Sequence, residues 1–411
     1  LDQEGRGIAH FEGKVIFIEG ALTGETVQYV SYQRKPKYEL AEAKHILRAS
    51  VARVVPRCRY FGVCGGCALQ HWDHAPYLAW KVDRLRRTLA RERLETEFLP
   101  AFAALPGTRR RLALHARQGS RSAARLGFKG RKSWDVVEIE VCPIADPALQ
   151  AALPALRALA APLFEHPKSA PTLHVTVTAT GIDVDITGVE RKSGGGLSAD
   201  ARMRLAEIAA KGDFARVTID GEPAYLARQP MVRLGPATVA LPAGAFQQAV
   251  PAAEAAMAAL AVEACADAGK IADLYCGVGT FTFRLAGIAP VLAADSSGPA
   301  IAAMNAAAAS APGLKGIVGE HRDLARRPLL AEEMKRIDTV VFDPPRAGAA
   351  EQSAEIARSK VARAVAVSCN PATFARDARI LIDGGFTLDR LLPVDQFLWS
   401  SHIELVGVFS R

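Results

Sequence analysis

From about residue 250 onward, short apolar runs alternate with helical stretches, and this pattern constrains the fold more than any other feature. The order is an Ala-rich helix at 251–268, then "KIADLYCGVGTFTFRLA", "PVLAADSS", "IAAMNAAAA", "IDTVVFDPPR", "VARAVAVSCNPATF" and "LLPVDQF". Short apolar strands separated by helices imply a doubly wound α/β sheet. Ligands of such sheets bind outside the carboxyl ends of the strands. The residues that close each apolar run are therefore the candidate site.

The run "IADLYCGVGT" carries a buried strand into a Gly-rich turn just before a helix. Gly277 and Gly279 let the backbone approach a ligand closely. Asp295 closes the next strand, "VLAAD", where a carboxylate can accept both ribose hydroxyls of an adenosine ligand. A dinucleotide would use the same layout, so the glycines alone do not choose between ligands. Two details favour S-adenosylmethionine. The third fingerprint glycine is absent, since Phe281 and Thr282 follow, and Asp273 at the loop entrance would repel a pyrophosphate but suits an ammonium group. Tyr275, inside the loop, is grouped with the cofactor-binding residues. Asp323 in "GEHRDLA" follows a third strand and is either a contact to the adenine amino group or a solvated loop carboxylate.

The chemistry is most legible in "AVAVSCNPATFARD", where the strand 364–367 ends in Ser368-Cys369-Asn370-Pro371. Cys369 then projects from the same edge as the Gly loop. A thiol there can attack a substrate beside the cofactor, provided neighbours lower its pKa. Uracil C5 is a poor nucleophile, but a thiolate added at C6 turns it into an enolate that takes a methyl cation equivalent. A base must then remove the C5 proton so that the thiolate can leave. Glu404 in "SSHIELV" is the expected base, with His402 two residues before it and on the same side if both lie in one strand. "VVFDPPR" closes another strand on this edge: the Pro pair stiffens the loop, and Asp343 is placed to hydrogen-bond a base.

Cys58, Cys64 and Cys67 form a C-x5-C-x2-C array, and Cys142 follows in "CPI". Four thiols with a close pair and a Gly-rich loop read as one metal site. The spacing departs from the paired C-x2-C ribbons of structural zinc, so a 4Fe–4S cluster is expected, with zinc as the alternative. Its role is expected to be structural or RNA-ordering, because it lies far in sequence from the catalytic strands. Cys265 and Cys276 are read as core. Seven cysteines, an odd and unevenly spaced set, argue against a secreted disulfide framework and for a cytoplasmic protein. No apolar run approaches the roughly 20 residues of a membrane-spanning helix. No signal peptide is expected, and the missing initiator Met implies that a few residues before Leu1 are absent.

Upstream, residues 1–55 read as short strands suited to a small OB-type barrel. A helix follows from about Tyr77 to Leu94, with Leu78, Val82, Leu85 and Leu89 on one face. Residues 148–165 read as another helix, "WDVVEIEVCPI" as a strand, 173–187 and 214–241 as antiparallel sheet, and Gly194–Gly196 as a turn. The net charge of +8 fits a polyanionic partner, and from Arg109 to Lys132 there are nine Lys/Arg with no Asp or Glu. This segment is expected to track phosphates, with Phe128 available for stacking; a solvated basic hairpin is the alternative.

Taken together, "FGVCGGCALQH", "ADLYCGVGTF", "DPPRAG", "SCNPATFARD" and the closing "HIELV" resemble the RNA 5-methyluridine methyltransferases almost from end to end. The likeness is strongest to the iron–sulfur branch that modifies 23S ribosomal RNA. The resemblance implies a TRAM-like RNA-binding barrel at 1–55 and a central α+β domain with a cluster loop at 56–247. It also implies a Rossmann-like class I methyltransferase domain at 248–411. It implies Cys369 as the C6 nucleophile and Glu404 as the base. Gln248 in "AFQQAV" matches a Phe-x-Gln motif that contacts the cofactor near a flipped base. Asp295 and Asp343 match the ribose-binding and base-facing acids, and the four cysteines match cluster ligands. Val250 stands where the family usually has Asn, and Leu398 and Ser400 where it has Pro and Thr. The expected substrate is a uridine of ribosomal RNA, with the T-loop of transfer RNA as the alternative, and the chain is expected to act as a monomer. A cytosine-C5 enzyme is a further alternative, although such enzymes tend to carry Pro-Cys where this chain has Ser368-Cys369. A non-catalytic RNA-binding factor would need neither Cys369 nor Glu404.

Overall fold

A computed structural model describes residues 1–119, 124–166, 168–189 and 197–411. The expected turn at Gly194–Gly196, and Arg121 of the basic segment, lie outside the described residues.

The C-terminal half forms the doubly wound sheet that its alternation predicts. Its strands run in the order Ile317–His321, Val291–Asp295, Ile271–Leu274, Thr339–Phe342, Arg363–Ser368, Glu404–Ser410 and Thr387–Asp395. The first five are parallel; Glu404–Ser410 runs against them, and Thr387–Asp395, antiparallel to Glu404–Ser410, returns to their direction. Every residue of Ile271–Leu274 and Thr339–Phe342 is buried, as expected of strands with helices on both faces. One face packs against helices Pro251–Ala264 and Gly298–Ser310 through Ala253, Met257, Ile301 and Met304. The other packs against Ala350–Arg358 and Pro371–Asp383 through Ile356, Phe374 and Leu381. Pro251 and Pro371 each sit in a first helical turn, where a missing N–H leaves no bond unmade.

The sheet also recruits chain from well before residue 248. Glu97–Phe98 and Phe102–Ala103 pair in parallel with Thr387–Asp395. Helix His74–Arg91 lays Leu85 and Leu89 into the same core as Phe374. The hairpin Met231–Leu234/Ala237–Ala240, expected with the central sheet, lies against the Gly298–Ser310 helix and puts Val232, Leu234 and Val239 into the core of the C-terminal sheet. Helical periodicity shows that a face is apolar but not what covers it. The buried face differs too: Tyr77, Trp80 and Lys81 are inside, while Leu78 and Val82 are half-buried.

Among the described residues the central sheet has seven strands, in the order Glu222–Leu226, Phe214–Ile219, Gly181–Thr187, Thr172–Thr178, Arg111–Gln118, Ala124–Lys129 and Val136–Glu138. Helices Pro147–Ala160 and Ala199–Lys211 cover it, burying Leu149, Leu153, Leu156 and Leu205. Of "WDVVEIEVCPI" only Val136–Glu138 is strand.

The N-terminal region is a four-stranded sheet in the order Gly7–Phe11, Lys14–Glu19, Tyr38–Arg48 and Thr26–Arg34. Among the described residues its hydrogen-bonded path is linear, and no pairing closes it into the expected barrel. Its core is small: Ile16, Ile18, Ala21 and Ala41.

Candidate active site

Backbone register assembles the reactive residues. In the antiparallel pair formed by Arg363–Ser368 and Glu404–Ser410, Ser368 lies opposite Leu405. Continuing that register by one residue brings Cys369 level with Glu404. Asp343 directly follows the parallel neighbour Thr339–Phe342. The two loops are tied together: Asn370 Nδ2 and Thr373 Oγ1 donate to the Arg346 carbonyl at 3.1 and 3.2 Å. Asn370 also caps its helix by accepting from Ala372 N at 3.1 Å.

Glu404 is 4 % exposed, and burial pushes its carboxyl up to about 7. Asp343 is raised well above the ordinary aspartate range, first by burial and then by the charges of Glu404 and Asp273. Cys369 is half-buried, and its thiol is raised by burial and then by Glu404 and Asp343. Nucleophilic attack required neighbours that lower that thiol, but two carboxylates raise it further, opposed by Arg346 and a backbone hydrogen bond. His402 is exposed in the loop before the strand begins, whereas Glu404 is its first, buried residue.

Two buried amides join the acids. Gln248 Nε2 donates to Asp343 Oδ2 at 3.1 Å. Gln396 Nε2 donates to Gln248 Oε1 at 2.8 Å and also to Glu404 Oε2. Gln396 Oε1 accepts from Ala249 N at 3.1 Å. Gln396 was not singled out from the sequence; the available signal was a polar pair, Asp395-Gln396, closing the apolar run "LLPV".

The Gly loop lies on the same edge. Gly277 and Gly279 have φ of +56° and +96°, and Tyr275 adopts +62°. A Cβ on Gly277 would meet nothing within 4 Å, so that face of the loop is open. Asp295 accepts Gly277 N at 2.9 Å and Ser297 N at 2.7 Å, bracing loop and following helix together. Asp273 is fully buried, and burial pushes it up to about 7. Its Oδ2 accepts Thr282 Oγ1 at 2.5 Å, while its Oδ1 has no partner. Tyr275 is half-buried, its hydroxyl pushed up to about 12 by burial and then by Asp377, Glu351 and Asp323. Asp323 is exposed and accepts Ala325 N within its own loop at 3.1 Å.

The basic segment divides in two. Arg110 Nε donates to the Gln248 carbonyl at 2.9 Å, and its Nη2 pairs with Glu254 at 2.6 Å. Arg111 Nη1 donates to the Gln247 carbonyl at 2.6 Å. These arginines hold the Gln248 segment and are not part of a solvated phosphate track. Lys129, Arg131 and Lys132 stand nearer the N-terminal sheet, where Lys132 pairs with Glu19 at 2.6 Å. Phe128 is half-buried: it packs against the central core and also lines the groove formed with Lys129, Arg131, Lys132 and Trp134.

Cys58, Cys64, Cys67 and Cys142 line one cavity of about 390 Å³, together with Arg109 and Gln70. The same cavity reaches Gln396, Phe397 and His402, so thiols distant in sequence share a cavity with residues bordering the candidate site. Burial pushes Cys67 up to about 12 and Cys142 up to about 11. Among the described residues, no group of three or more His, Cys, Asp or Glu converges tightly enough to hold a metal ion. Cys265 and Cys276 are buried, as expected of core thiols.

A doubly wound sheet with a Gly loop after its first strand, an acid closing its second and no third fingerprint glycine fits an α/β methyltransferase domain. Residues 224–411 match the family model described as tRNA (Uracil-5-)-methyltransferase. The chain is 62 % identical to a protein of Caulobacter vibrioides named as an uncharacterized RNA methyltransferase, covering 100 % of this chain and 98 % of that one. It is 31 % identical to a 23S rRNA (uracil(1939)-C(5))-methyltransferase of Aromatoleum aromaticum, again over 100 % and 98 % of the two chains. The crystal structure of a Pyrococcus abyssi tRNA (uracil-54, C5)-methyltransferase, in complex with S-adenosyl-L-homocysteine, shares its fold. That match has a TM-score of 0.73 and 24 % identity, covering 100 % of this chain and 97 % of that one. The chain belongs to the RNA uracil-5-methyltransferase family.

Proposed function

We propose that this enzyme methylates C5 of a flipped uridine in ribosomal RNA, using S-adenosylmethionine as the methyl donor. The observation that carries the reading is the register that brings Cys369 level with Glu404, inside a buried cluster of acids and amides beside the Gly loop. A binding module needs no buried carboxylate held near neutrality beside a thiol.

The residues around the loop suit the donor. The open face at Gly277 leaves room for it, Asp295 retains lone pairs for ribose hydroxyls, and the unpaired Oδ1 of Asp273 suits a cationic group. Asp343 and Gln248 face the base. When bound, the donor supplies a methyl cation equivalent. Burial and two carboxylates keep Cys369 as a thiol in the free protein, and a cationic sulfonium beside it would offset them and favour the thiolate. The Cys369 thiolate adds to C6, and the electron pair pushed to C5 forms the new C–CH3 bond. Glu404 then takes the C5 proton, the C5–H pair restores the C5=C6 bond, and the thiolate leaves. A base titrating near 7 suits that step at neutral pH.

The four-thiol donor set around one cavity fits an iron–sulfur cluster better than a single ion, because a cluster spaces its ligands more widely. Cys58, Cys64, Cys67 and Cys142 would hold it, with Arg109 at its edge. The open N-terminal sheet and the Lys129–Lys132 surface would carry the RNA, as in a TRAM-type module. The domain division proposed is 1–55, 56–247 and 248–411, with 74–103 docked on the last.

The test is anaerobic incubation with labelled S-adenosylmethionine and separated unmodified RNA fractions, followed by nucleoside analysis. Label in 5-methyluridine from 23S ribosomal RNA, lost in Cys369→Ala, is the expected result. Label in 5-methylcytidine, or in transfer RNA alone, overturns the base or the substrate. Iron and sulfide assays on the Cys67→Ser variant test the cluster.

A further inference from the structure

Both polar atoms of the Gln396 side chain are engaged, and among the described residues their polar partners are the backbone of the Gln248 segment, the Gln248 side chain and Glu404. The residue is 3 % exposed and occupies the loop just after the strand Thr387–Asp395. Its Oε1 takes the Ala249 N–H at 3.1 Å, which fixes which end of the amide faces inward. Nε2 must then face two acceptors, Gln248 Oε1 at 2.8 Å and Glu404 Oε2. With its oxygen so occupied, Gln248 turns its own Nε2 to Asp343 at 3.1 Å. A flipped Gln396 would give up the Ala249 N–H bond and set its oxygen against the Gln248 amide oxygen and an ionised Glu404, three acceptors with no donor among them.

We infer that Gln396 is the positioning residue for the proton-removal half of the reaction: it holds one oxygen of Glu404, leaving the other to meet the C5 proton. This rests on the proposed function. The donor from Gln396 also favours the ionised form of Glu404 against its burial. Cys369 has no hydrogen bond to Gln396, so addition at C6 and methyl transfer should proceed without it, with at most a small loss from freeing the Gln248 oxygen. Release should not.

The experiment uses the full-length holoenzyme and the RNA fraction that the wild type methylates. Gln396→Met keeps the volume and removes the donor. S-adenosylhomocysteine formation in a single turnover reports methyl transfer, and the decay of an SDS-stable RNA–protein adduct reports release. The expected result is near-wild-type formation of the first and release slowed by about tenfold or more, the loss expected for one hydrogen bond to a charged group. The limb of release that rises with pH should move about one pH unit toward alkaline, because Glu404 becomes harder to ionise. Gln396→Asn, one methylene too short to reach Glu404, should show the same split if the Met variant does not fold. Unchanged release with an unchanged pH limb overturns the inference. So does equal slowing of both steps with no shift of the limb, which would mark a purely structural residue. A wild type that labels no uridine overturns the proposed function itself, and the role of Gln396 with it.

Discussion

Arg110 donates from Nε to the main-chain carbonyl of Gln248 at 2.9 Å, so an arginine of the central region fixes the amide that faces Asp343. The same guanidinium pairs with Glu254, which Arg284 also holds at 2.9 Å, linking the central sheet, the Pro251–Ala264 helix and the Gly loop. The active site is built where these parts meet.

Arg110→Ala should therefore act on stability and catalysis together. It removes a hydrogen bond to a buried carbonyl and half of the charge pairing of Glu254. A loss of about 1.5–3 kcal/mol in urea unfolding is expected, with a lower kcat. Arg110→Lys should restore only part of either, since an ammonium cannot reach both partners with planar geometry. Wild-type kcat in the Ala variant would sink the idea that Arg110 holds Gln248 in place.

Gly279 is replaceable only at the expense of the loop. With φ at +96°, its Cβ would come within 2.5 Å of Phe283 Cε2 and 3.0 Å of Met304 Cγ. Gly279→Ala is expected to cost about 1–3 kcal/mol and to weaken S-adenosylhomocysteine binding in calorimetry. Gly277→Ala meets no atom within 4 Å, so it should cost less stability while still carrying the strain of positive φ and intruding on the ligand face.

The buried acids give a pH dependence with a definite sign. Asp273 and Glu404 are both pushed up to about 7 from ordinary values near 4. Between those limits the folded protein binds more protons than the unfolded chain, so stability falls as pH rises through about 4 to 7. The urea midpoint should be lower at pH 8 than at pH 5, and Asp273→Asn should flatten the difference. A midpoint that rises over this interval contradicts the burial of these groups. Activity should rise through the same range, as Glu404 ionises.

Lys81 and Asp395 form a pair at 2.6 Å with both side chains fully buried, and Lys81 also donates to the Phe397 carbonyl at 3.2 Å. The bond fastens helix His74–Arg91 to the strand end that precedes Gln396. Lys81→Met strands a buried carboxylate and should cost about 3–5 kcal/mol. Combining it with Asp395→Leu should recover most of that loss, as a double-mutant cycle would show. Release of the RNA adduct should slow in the single variant as the Gln396 loop loosens.

Local sequence determined the elements and most of the groups proposed to react. Alternating apolar runs and helices specify a doubly wound sheet because strands with no polar face must be covered on both sides. A strand ending in Ser368-Cys369-Asn370-Pro371 puts a thiol at the sheet edge, since Asn370 caps and Pro371 begins the next helix. The glycines at 277 and 279 take the positive φ that the turn demands. These features depend on a few adjacent residues, and local chemistry suffices to read them.

What the tertiary structure decided was partnership. Nine basic residues without an acid look like a phosphate track, yet the acid for Arg110 is Glu254, 144 residues away. The apolar face of helix His74–Arg91 does not say that it docks on the catalytic sheet, nor that Lys81 is enclosed with Asp395. Four cysteines distant from Cys369 in sequence share a cavity that reaches Gln396 and His402. Gln396 has no signature in sequence, because its role exists only when the ends of two strands bring Gln248 and Glu404 within reach of one amide. Periodicity and local motifs report what a segment must bury or expose, whereas the pairing of charges and amides across long separations is settled only when the sheet closes around them.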